Sequence, residues 1–190
     1  MTDSSRGAVI IGASAGALEA LSQLLPSLPA SFALPVFVVV HVPPDKPSVL
    51  ADIFKTKCQL RAIEAEDKEP IEPGVIYFSP PNYHLLFEDQ QTIALSNEEE
   101  VLFSRPSIDV AFESAADVWA DRLIGIILTG ANQDGAAGLQ AVAKAGGVTL
   151  VQNPEGAYAR AMPEAAIDAC PQARVMSFAE MSAFLSRMSQ

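Results

Sequence analysis

Residues 8–21 read AVIIGASAGALEAL, in which an apolar run leads into Gly12-Ala13-Ser14-Ala15-Gly16 and then into a helix-forming stretch. Short, continuous apolar runs of this kind are typical of strands in a parallel sheet that is covered on both faces. A glycine two residues before and two residues after Ser14 permits a tight turn that projects the serine side chain. The stretch therefore predicts a strand, a turn that carries Ser14, and a helix.

The same alternation of strand and helix continues along the chain. Apolar, β-rich runs predict strands at Ala8–Ile11, Val36–Val40, Arg122–Leu128, Val148–Val151 and Arg174–Met176. Helical periodicity predicts helices at Ala17–Leu25, Val49–Lys57, Ile108–Ala120, Ala136–Ala145 and Phe178–Met188, the last with Ser177 and Glu180 at capping-box spacing.

One segment breaks this rhythm. Residues 74–96 hold three short strand-like runs, which predict a small antiparallel ribbon at one edge, and the polar residues 64–74 before them predict a surface loop. We expect an α/β fold with a doubly wound, mostly parallel sheet in three Rossmann-like layers, with right-handed crossovers. At this length a single domain over residues 1–190, with its core at about 7–190, is the simplest organisation.

Composition and charge exclude several classes of partner. Twelve Lys and Arg against twenty-three Asp and Glu give a formal charge of −11, which disfavours binding to nucleic acid or to an anionic membrane surface. No apolar run approaches the roughly 18 residues of a membrane span, and the N-terminus lacks the pattern of a secretion signal. Cys58 and Cys170 fit neither a disulfide framework nor a metal motif, so we expect reduced thiols and a cytoplasmic protein.

Three polar residues follow three of the predicted strands. Ser14 comes two residues after Gly12, His41 ends the strand VFVVVH, and Asp134 follows the strand in LIGIILTGANQDG. In an open α/β sheet ligands bind outside the carboxyl ends of the strands, so the three side chains are expected at one edge. Serine, histidine and aspartate are also the residue types that a nucleophile, its base and the orienting acid require.

Each of the three residues has a structural alternative. Ser14 and Asp134 could each be the N-cap of the helix that follows, and His41 could be a strand-end residue turned toward solvent. The G-x-S-x-G motif is weak alone, and the order Ser, His, Asp differs from the order in α/β-hydrolases. A dinucleotide site is disfavoured because His41 stands where such a site carries a ribose-binding acid.

Six longer segments together resemble the catalytic domain of the CheB family of chemotaxis receptor methylesterases and deamidases. They lie in order between residues 8 and about 170: IIGASAGALEAL, VVVHVPPDKPSVLADIF, IEAEDKEPIEPGVIYFSPPNYHLL, FSRPSIDVAFESAA, GIILTGANQDGAAGLQAVAKAGG and LVQNPEGAYARAMPEAAI. The resemblance implies a doubly wound α/β sheet with Ser14 as nucleophile, His41 as general base and then acid, and Asp134 as the residue that orients the imidazole. It implies no metal and no cofactor.

The chain departs from the family pattern beside two of these residues. Where the family usually reads G-A-S-T-G-G, this chain has Ala15 after the serine, and where the family reads T-G-M-G-x-D-G it has Ala131 and Asn132. Candidates for the oxyanion hole or the pocket are Ala15, Gly16, Ala131, Asn132 and Arg105. For Arg105 a role at the substrate edge is the secondary hypothesis, since the motif SRPSID reads first as a helix start capped by Ser107. We expect structural roles for His84, which could also line the rim, and for Asp109 and Asn153.

The resemblance implies a substrate, which is also the partner, and two alternatives to it stay open. The implied substrate is the cytoplasmic domain of a methylated chemoreceptor. The resemblance also implies a receiver domain before the catalytic domain, whereas the first catalytic strand here begins at residue 8. The sequence is therefore either a catalytic fragment or a stand-alone member, which a separate receiver protein could regulate. Two alternatives remain: a hydrolase of the same kind that acts on another ester or amide, and a non-catalytic scaffold that binds a signalling partner.

Overall fold

A computed structural model describes residues 7–188, and the predicted domain range includes eight terminal residues that lie outside this part. Its strands are β1 (Ala8–Ala13), β2 (Val36–Val40), β3 (Arg61–Glu64), β4 (Val75–Phe78), β5 (His84–Phe87), β6 (Ile93–Ser96), β7 (Leu123–Ile127), β8 (Val148–Gln152) and β9 (Arg174–Met176). Its helices are α1 (Ala17–Leu24), α2 (Leu50–Lys57), α3 (Ile108–Trp119), α4 (Ala136–Lys144), α5 (Ala161–Ala169) and α6 (Phe178–Met188).

Seven strands form one parallel sheet in the order β3-β4-β2-β1-β7-β8-β9. Helices cover both faces, with α1, α2 and α6 packed on one and α3, α4 and α5 on the other. β1 is central, and its residues alternate between the two faces, so that Ile11 packs in one core and Ile10 in the other. The expected doubly wound α/β fold is confirmed.

The carboxyl ends of β1, β2 and β7 lie side by side at the middle of the sheet, because β1 pairs with both of the others. Gly12 lets α3 approach this point closely: a Cβ atom at residue 12 would lie 2.5 Å from Cγ2 of Ile108. The first turn of α3 is therefore held against the end of β1, which brings its backbone N–H groups to the strand edge.

Two parts of the sequence prediction need correction. β5 and β6 form the expected antiparallel ribbon, but the first of the three runs, β4, belongs to the parallel sheet between β2 and β3. The strand β3 and the helix α5 were not expected. β3 is a short edge strand with Arg61 and Glu64 exposed, and α5 carries Pro163 in its first turn, where a missing N–H costs nothing.

The last helix behaves as its sequence predicts. Ser177 Oγ accepts from the N–H of Glu180, while Glu180 Oε2 accepts from the N–H of Ser177, which is a capping box. Met181, Phe184 and Leu185 pack α6 into the core beside α1. Across residues 7–188, no helix is both long enough and apolar enough to cross a bilayer.

Candidate active site

The structure brings Ser14, His41 and Asp134 together at the carboxyl edge of the sheet. His41 Nδ1 lies 3.2 Å from Ser14 Oγ, and His41 Nε2 lies 2.7 Å from Asp134 Oδ2. The imidazole therefore bridges a hydroxyl and a carboxylate. This is the arrangement that a serine nucleophile, its base and an orienting acid require.

The contact with Asp134 fixes which nitrogen of His41 carries the proton. A carboxylate only accepts hydrogen bonds, so Nε2 must be the protonated nitrogen of the neutral ring. Nδ1 then presents its lone pair to Ser14 Oγ. The ring is in the tautomer that can remove the serine proton.

Asp134 is fully buried, and each of its oxygens accepts two hydrogen bonds. Oδ1 accepts from the hydroxyl of Ser107 at 3.2 Å and from the N–H of Asp109 at 2.9 Å. Oδ2 accepts from the N–H of Ile108 at 2.7 Å in addition to His41. Burial raises the pKa of Asp134, but the hydrogen bonds from His41 and from the backbone outweigh it, so the net pKa lies below 3.8.

Asp134 is thus bound to the N-terminus of a helix, but not of the helix that it precedes. The N-cap of α4 is Gly135, without a side-chain bond, while the carboxylate of Asp134 receives N–H groups from the first turn of α3. The alternative interpretation of Asp134 as the cap of its own helix is wrong.

Asp109 returns the same interaction from α3 to α4. Its Oδ1 accepts from the N–H of Gly135 at 2.9 Å and of Gly138 at 2.7 Å. Burial, reinforced by the charge of Asp134, raises the pKa of Asp109 to about 6, against the opposing effect of the two N–H groups. Asp134, which precedes α4, binds the first turn of α3, and Asp109, on α3, binds the first turn of α4 and its cap. The two carboxylates therefore hold the N-termini of α3 and α4 together.

Ser14 occupies a turn between β1 and α1 and is not a helix cap. The N-cap of α1 is Gly16, with φ +82° and no side-chain bond, so the alternative interpretation of Ser14 as a cap is wrong. The N–H of Ser14 donates to Thr129 O at 2.9 Å, and Ser14 O accepts from the N–H of Ala17. The backbone of the turn is fixed while the hydroxyl faces His41.

Three backbone N–H groups around Ser14 are available as donors. Those of Ala15, Gly16 and Ala131 have no hydrogen-bond partner within residues 7–188. Asn132 Oδ1 accepts from the N–H of Asp134 at 3.0 Å, which closes a tight turn, and its φ lies outside the left-handed region. The asparagine in place of the family's glycine therefore shapes this loop without backbone strain.

Arg105 and His84 do not face Ser14. The guanidinium of Arg105 donates to Asn82 Oδ1 and to the carbonyls of Asn97 and Glu98, so it ties two loops together. His84 is buried; its Nδ1 accepts from the N–H of Ser107, and its Nε2 donates to Glu99 O. Asn153 caps a short turn through the N–H of Glu155.

Ser14 opens on a cleft of about 800 Å³ between α1 and the loop after β2. Val40, Val42 and Leu18 give it an apolar lining, and Tyr158, which is 78% exposed, stands at its rim beside Gly16. Sequence reasoning missed Tyr158 and Thr129. Both residues lie within segments quoted above, but neither stands next to a predicted catalytic residue in a way that marks its role, and Tyr158 reaches the site through tertiary packing.

No group of three or more His, Cys, Asp or Glu side chains in residues 7–188 is placed to hold a metal ion. The absence of a cofactor stays a prediction. The chemistry open to this site from its own side chains is nucleophilic attack by Ser14, proton transfer by His41, and stabilisation of an oxyanion by backbone N–H groups.

Comparison with known proteins gives a consistent match. The family model for CheB methylesterase matches residues 9–185. A protein of Leptospira interrogans, named for protein-glutamate methylesterase and protein-glutamine glutaminase activities, is 43% identical over 183 residues, covering 96% of this chain and 95% of the relative. A protein of Symbiobacterium thermophilum with the same two activities in its name is 37% identical over 163 residues, 86% of this chain but 45% of that protein.

The structural comparison agrees. The crystal structure of the CheB methylesterase catalytic domain of Thermotoga maritima superimposes with a TM-score of 0.93 at 30% identity, covering 97% of this chain and 99% of that one.

Proposed function

The chain belongs to the CheB methylesterase family, and from this premise we propose that it hydrolyses glutamyl methyl esters, and deamidates glutamine side chains, on chemoreceptors. The relatives' names carry both activities. The single observation that supports the mechanism is the bridge of His41 between Ser14 Oγ and Asp134 Oδ2.

The first half of the proposed reaction forms an acyl-enzyme. Ser14 Oγ attacks the ester carbonyl carbon while Nδ1 of His41 takes the serine proton, and Asp134 stabilises the imidazolium through Nε2. The N–H groups of Gly16 and Ala131 are the proposed donors to the tetrahedral oxyanion. The intermediate collapses, His41 returns the proton to the methoxy oxygen, and methanol leaves.

The second half releases the product. Water gives a proton to Nδ1 of His41 as its oxygen attacks the acyl carbon. The bond from the acyl carbon to Ser14 Oγ then breaks while His41 returns the proton to Oγ, and the glutamyl carboxyl group that is released ionises in solvent. A glutamine side chain enters the same cycle with ammonia in place of methanol. The proposed substrate is the cytoplasmic domain of a methylated chemoreceptor, so the proposed site of action is the cytoplasm; a separate receiver protein is the proposed regulator.

Methanol release from a methyl-esterified chemoreceptor fragment tests this function. We expect Ser14→Ala to lower the rate by about 10⁴-fold or more, because Ser14 is the hydroxyl that His41 contacts within residues 7–188. Ser48→Ala is the matched control: Ser48 lines the same cleft, but within residues 7–188 its hydroxyl has one hydrogen bond, accepted from the N–H of Leu50 and not shared with His41.

Each other outcome rejects part of the proposal. Cleavage of simple aryl esters, without methanol release from the receptor, would make the chain a hydrolase of another substrate. A fluorophosphonate probe that failed to label Ser14 would indicate a non-catalytic scaffold.

A further inference from the structure

A single buried hydroxyl, that of Thr129, holds the peptide that precedes the Gly16 N–H. Thr129 is 1% exposed, and its Oγ1 lies 2.9 Å from Ala15 O and 3.2 Å from Ala159 O. A hydroxyl has one hydrogen to donate, and Ala159 O already accepts from the N–H of Gly130 at 3.1 Å. The donated bond of Thr129 is therefore assigned to Ala15 O.

This bond sets the direction of the Gly16 N–H. In a planar trans peptide the C=O of one residue and the N–H of the next point in opposite directions. With Ala15 C=O directed at Thr129, on the β7 side of β1, the N–H of Gly16 points away from β7. The β2 side is where the cleft lies, since Val40 and Val42 line it.

The direction of the second proposed donor, the N–H of Ala131, follows from the same peptide geometry. Gly130 O accepts from the N–H of Met162 at 3.0 Å, so the N–H of Ala131 points away from the start of α5. The loop that carries Tyr158 and Ala159 lies between these two peptides. It is also bonded to Thr129, because the N–H of Ala159 donates to Oγ1 at 2.8 Å. Thr129 is thus the junction between the nucleophile turn, the loop that carries Tyr158, and the loop that carries Ala131.

We propose that Thr129 is a positioning residue for the oxyanion hole, and that its hydroxyl orients the Ala15–Gly16 peptide so that the Gly16 N–H faces the reacting carbonyl. The inference rests on the proposed function, because it needs an oxyanion. A hydroxyl that donates to Ala15 O also polarises that peptide, which makes its N–H a stronger donor. Loss of the hydroxyl frees the peptide plane to rotate while Ser14, His41 and Asp134 stay in place.

The test compares Thr129→Val, which keeps the shape and removes the hydroxyl, with Thr129→Ser, which keeps the hydroxyl. Thr149→Val is the matched control: Thr149 is a buried threonine on the neighbouring strand β8, and within residues 7–188 its Oγ1 has one hydrogen bond, accepted from Cys170 Sγ. Two rates are measured: fluorophosphonate labelling of Ser14, in which Oγ displaces fluoride from phosphorus and His41 takes the proton, and methanol release with kcat and KM determined separately.

We expect Thr129→Val to lower kcat and the labelling rate by about 10- to 100-fold with KM within about 3-fold, because an oxyanion contact is stronger in the transition state. Thr129→Ser should restore both rates to within about 3-fold of the parent, and Thr149→Val should leave them unchanged. A change in KM alone would overturn the proposal, since it would place the effect on the Tyr158 loop that lines the cleft. An unchanged labelling rate in Thr129→Val would also overturn it.

The design separates failure of this inference from failure of the proposed function. If the parent protein is labelled at Ser14 but releases no methanol from the receptor, the substrate assignment fails while the labelling series still tests Thr129. If the parent protein is not labelled, the serine hydrolase mechanism fails, and the role of Thr129 fails with it.

Discussion

Asp134 is fully buried with two hydrogen bonds to each oxygen, whereas the turn around Ser14 opens on a cleft and keeps three N–H groups unpaired within residues 7–188. The imidazole of His41 lies 2.7 Å from Asp134, which we call the acid end of the triad, and 3.2 Å from Ser14, which we call the nucleophile end. At the acid end every acceptor is satisfied by the protein itself. At the nucleophile end, donors remain for a ligand to satisfy.

The difference separates stability from activity. Removing a partner from a buried, fully bonded carboxylate leaves buried groups unsatisfied, and that costs stability as well as rate. A group that faces the cleft is bonded by water in the free protein, so its loss changes the transition state and little else. We therefore expect loss of the Asp134 carboxylate to lower both the rate and the stability, and substitutions at the nucleophile end to lower the rate more than the stability.

The largest effect is expected from Asp134→Asn. All four groups around Asp134 donate, so no orientation of an amide satisfies them: an NH₂ at the Oδ2 position faces the N–H of Ile108 and pushes His41 into the wrong tautomer. We expect kcat to fall by about 10⁴-fold. The free energy of unfolding should fall by about 1–3 kcal/mol.

Methanol release and denaturant unfolding measure the two effects, with Asp168→Asn, an exposed aspartate on α5, as the control. Full stability together with the rate loss would contradict the view that the acid end is also a structural element.

The next effect is the pH dependence that Asp109 gives to stability. Its pKa of about 6 in the folded protein lies above the ordinary 3.8, so the folded state holds the proton more tightly than the unfolded chain does. The contribution is complete below about pH 4 and is lost as the pH rises through 6. Because a shift of one pKa unit is worth about 1.4 kcal/mol, the loss in the free energy of unfolding is at most about 3 kcal/mol.

Asp109→Asn removes this titration but keeps an oxygen for the N–H groups of Gly135 and Gly138, which both bind Oδ1. The stability of the variant minus that of the parent should therefore rise between pH 4 and pH 7 and then level off. Urea unfolding of both proteins at five pH values measures the difference. A difference that stays constant with pH would show that burial does not raise the pKa of Asp109.

The sequence predicted five of the seven strands of the parallel sheet and the place of Ser14, His41 and Asp134 at strand ends, because each of these residues is marked locally by an apolar strand that ends beside it. It could not predict what surrounds Asp134. Three of the four donors come from the N-cap and first turn of α3, 25 to 27 residues away along the chain, and they meet the carboxylate through tertiary packing, in which Ile108 lies close to Gly12. Arg105 was a secondary candidate for the substrate edge, taken from the motif SRPSID, and it instead binds loop carbonyls that carry no sequence signal.

A smaller effect is expected at the nucleophile end from Gly16→Ala. The φ of +82° costs a residue with a Cβ about 1–2 kcal/mol, and the new atom would lie 2.6 Å from Cβ of Tyr158. We expect a stability loss of that size and a larger loss in the rate of fluorophosphonate labelling, because the turn must shift. Gly156→Ala is the control, since a Cβ there meets nothing within 4 Å. If the loss in labelling rate, expressed as an activation free energy, were no larger than the loss in the free energy of unfolding, the contrast between the two ends would be contradicted.

The smallest effect is expected at the acid end from Ser107→Ala, and it tests which of the donors to Asp134 matter for the rate. Ser107 caps α3, accepting from the N–H of Val110, and donates to Asp134 Oδ1, so Ser107→Ala removes one of the four donors and one helix cap. We expect a stability loss of about 1 kcal/mol, the usual cost of an N-cap. Ser177→Ala, which removes the cap of α6 far from the triad, should cost the same.

The rates should nonetheless differ little between the two variants, because Asp134 keeps the N–H groups of Ile108 and Asp109 and its bond to His41. We expect methanol release by Ser107→Ala within about 3-fold of Ser177→Ala, since backbone donors cannot be withdrawn by a side-chain substitution. A loss above about 10-fold in Ser107→Ala alone would mean that the orientation of Asp134 depends on this hydroxyl. The acid end would then rest on one side chain, as we propose that the nucleophile end rests on Thr129.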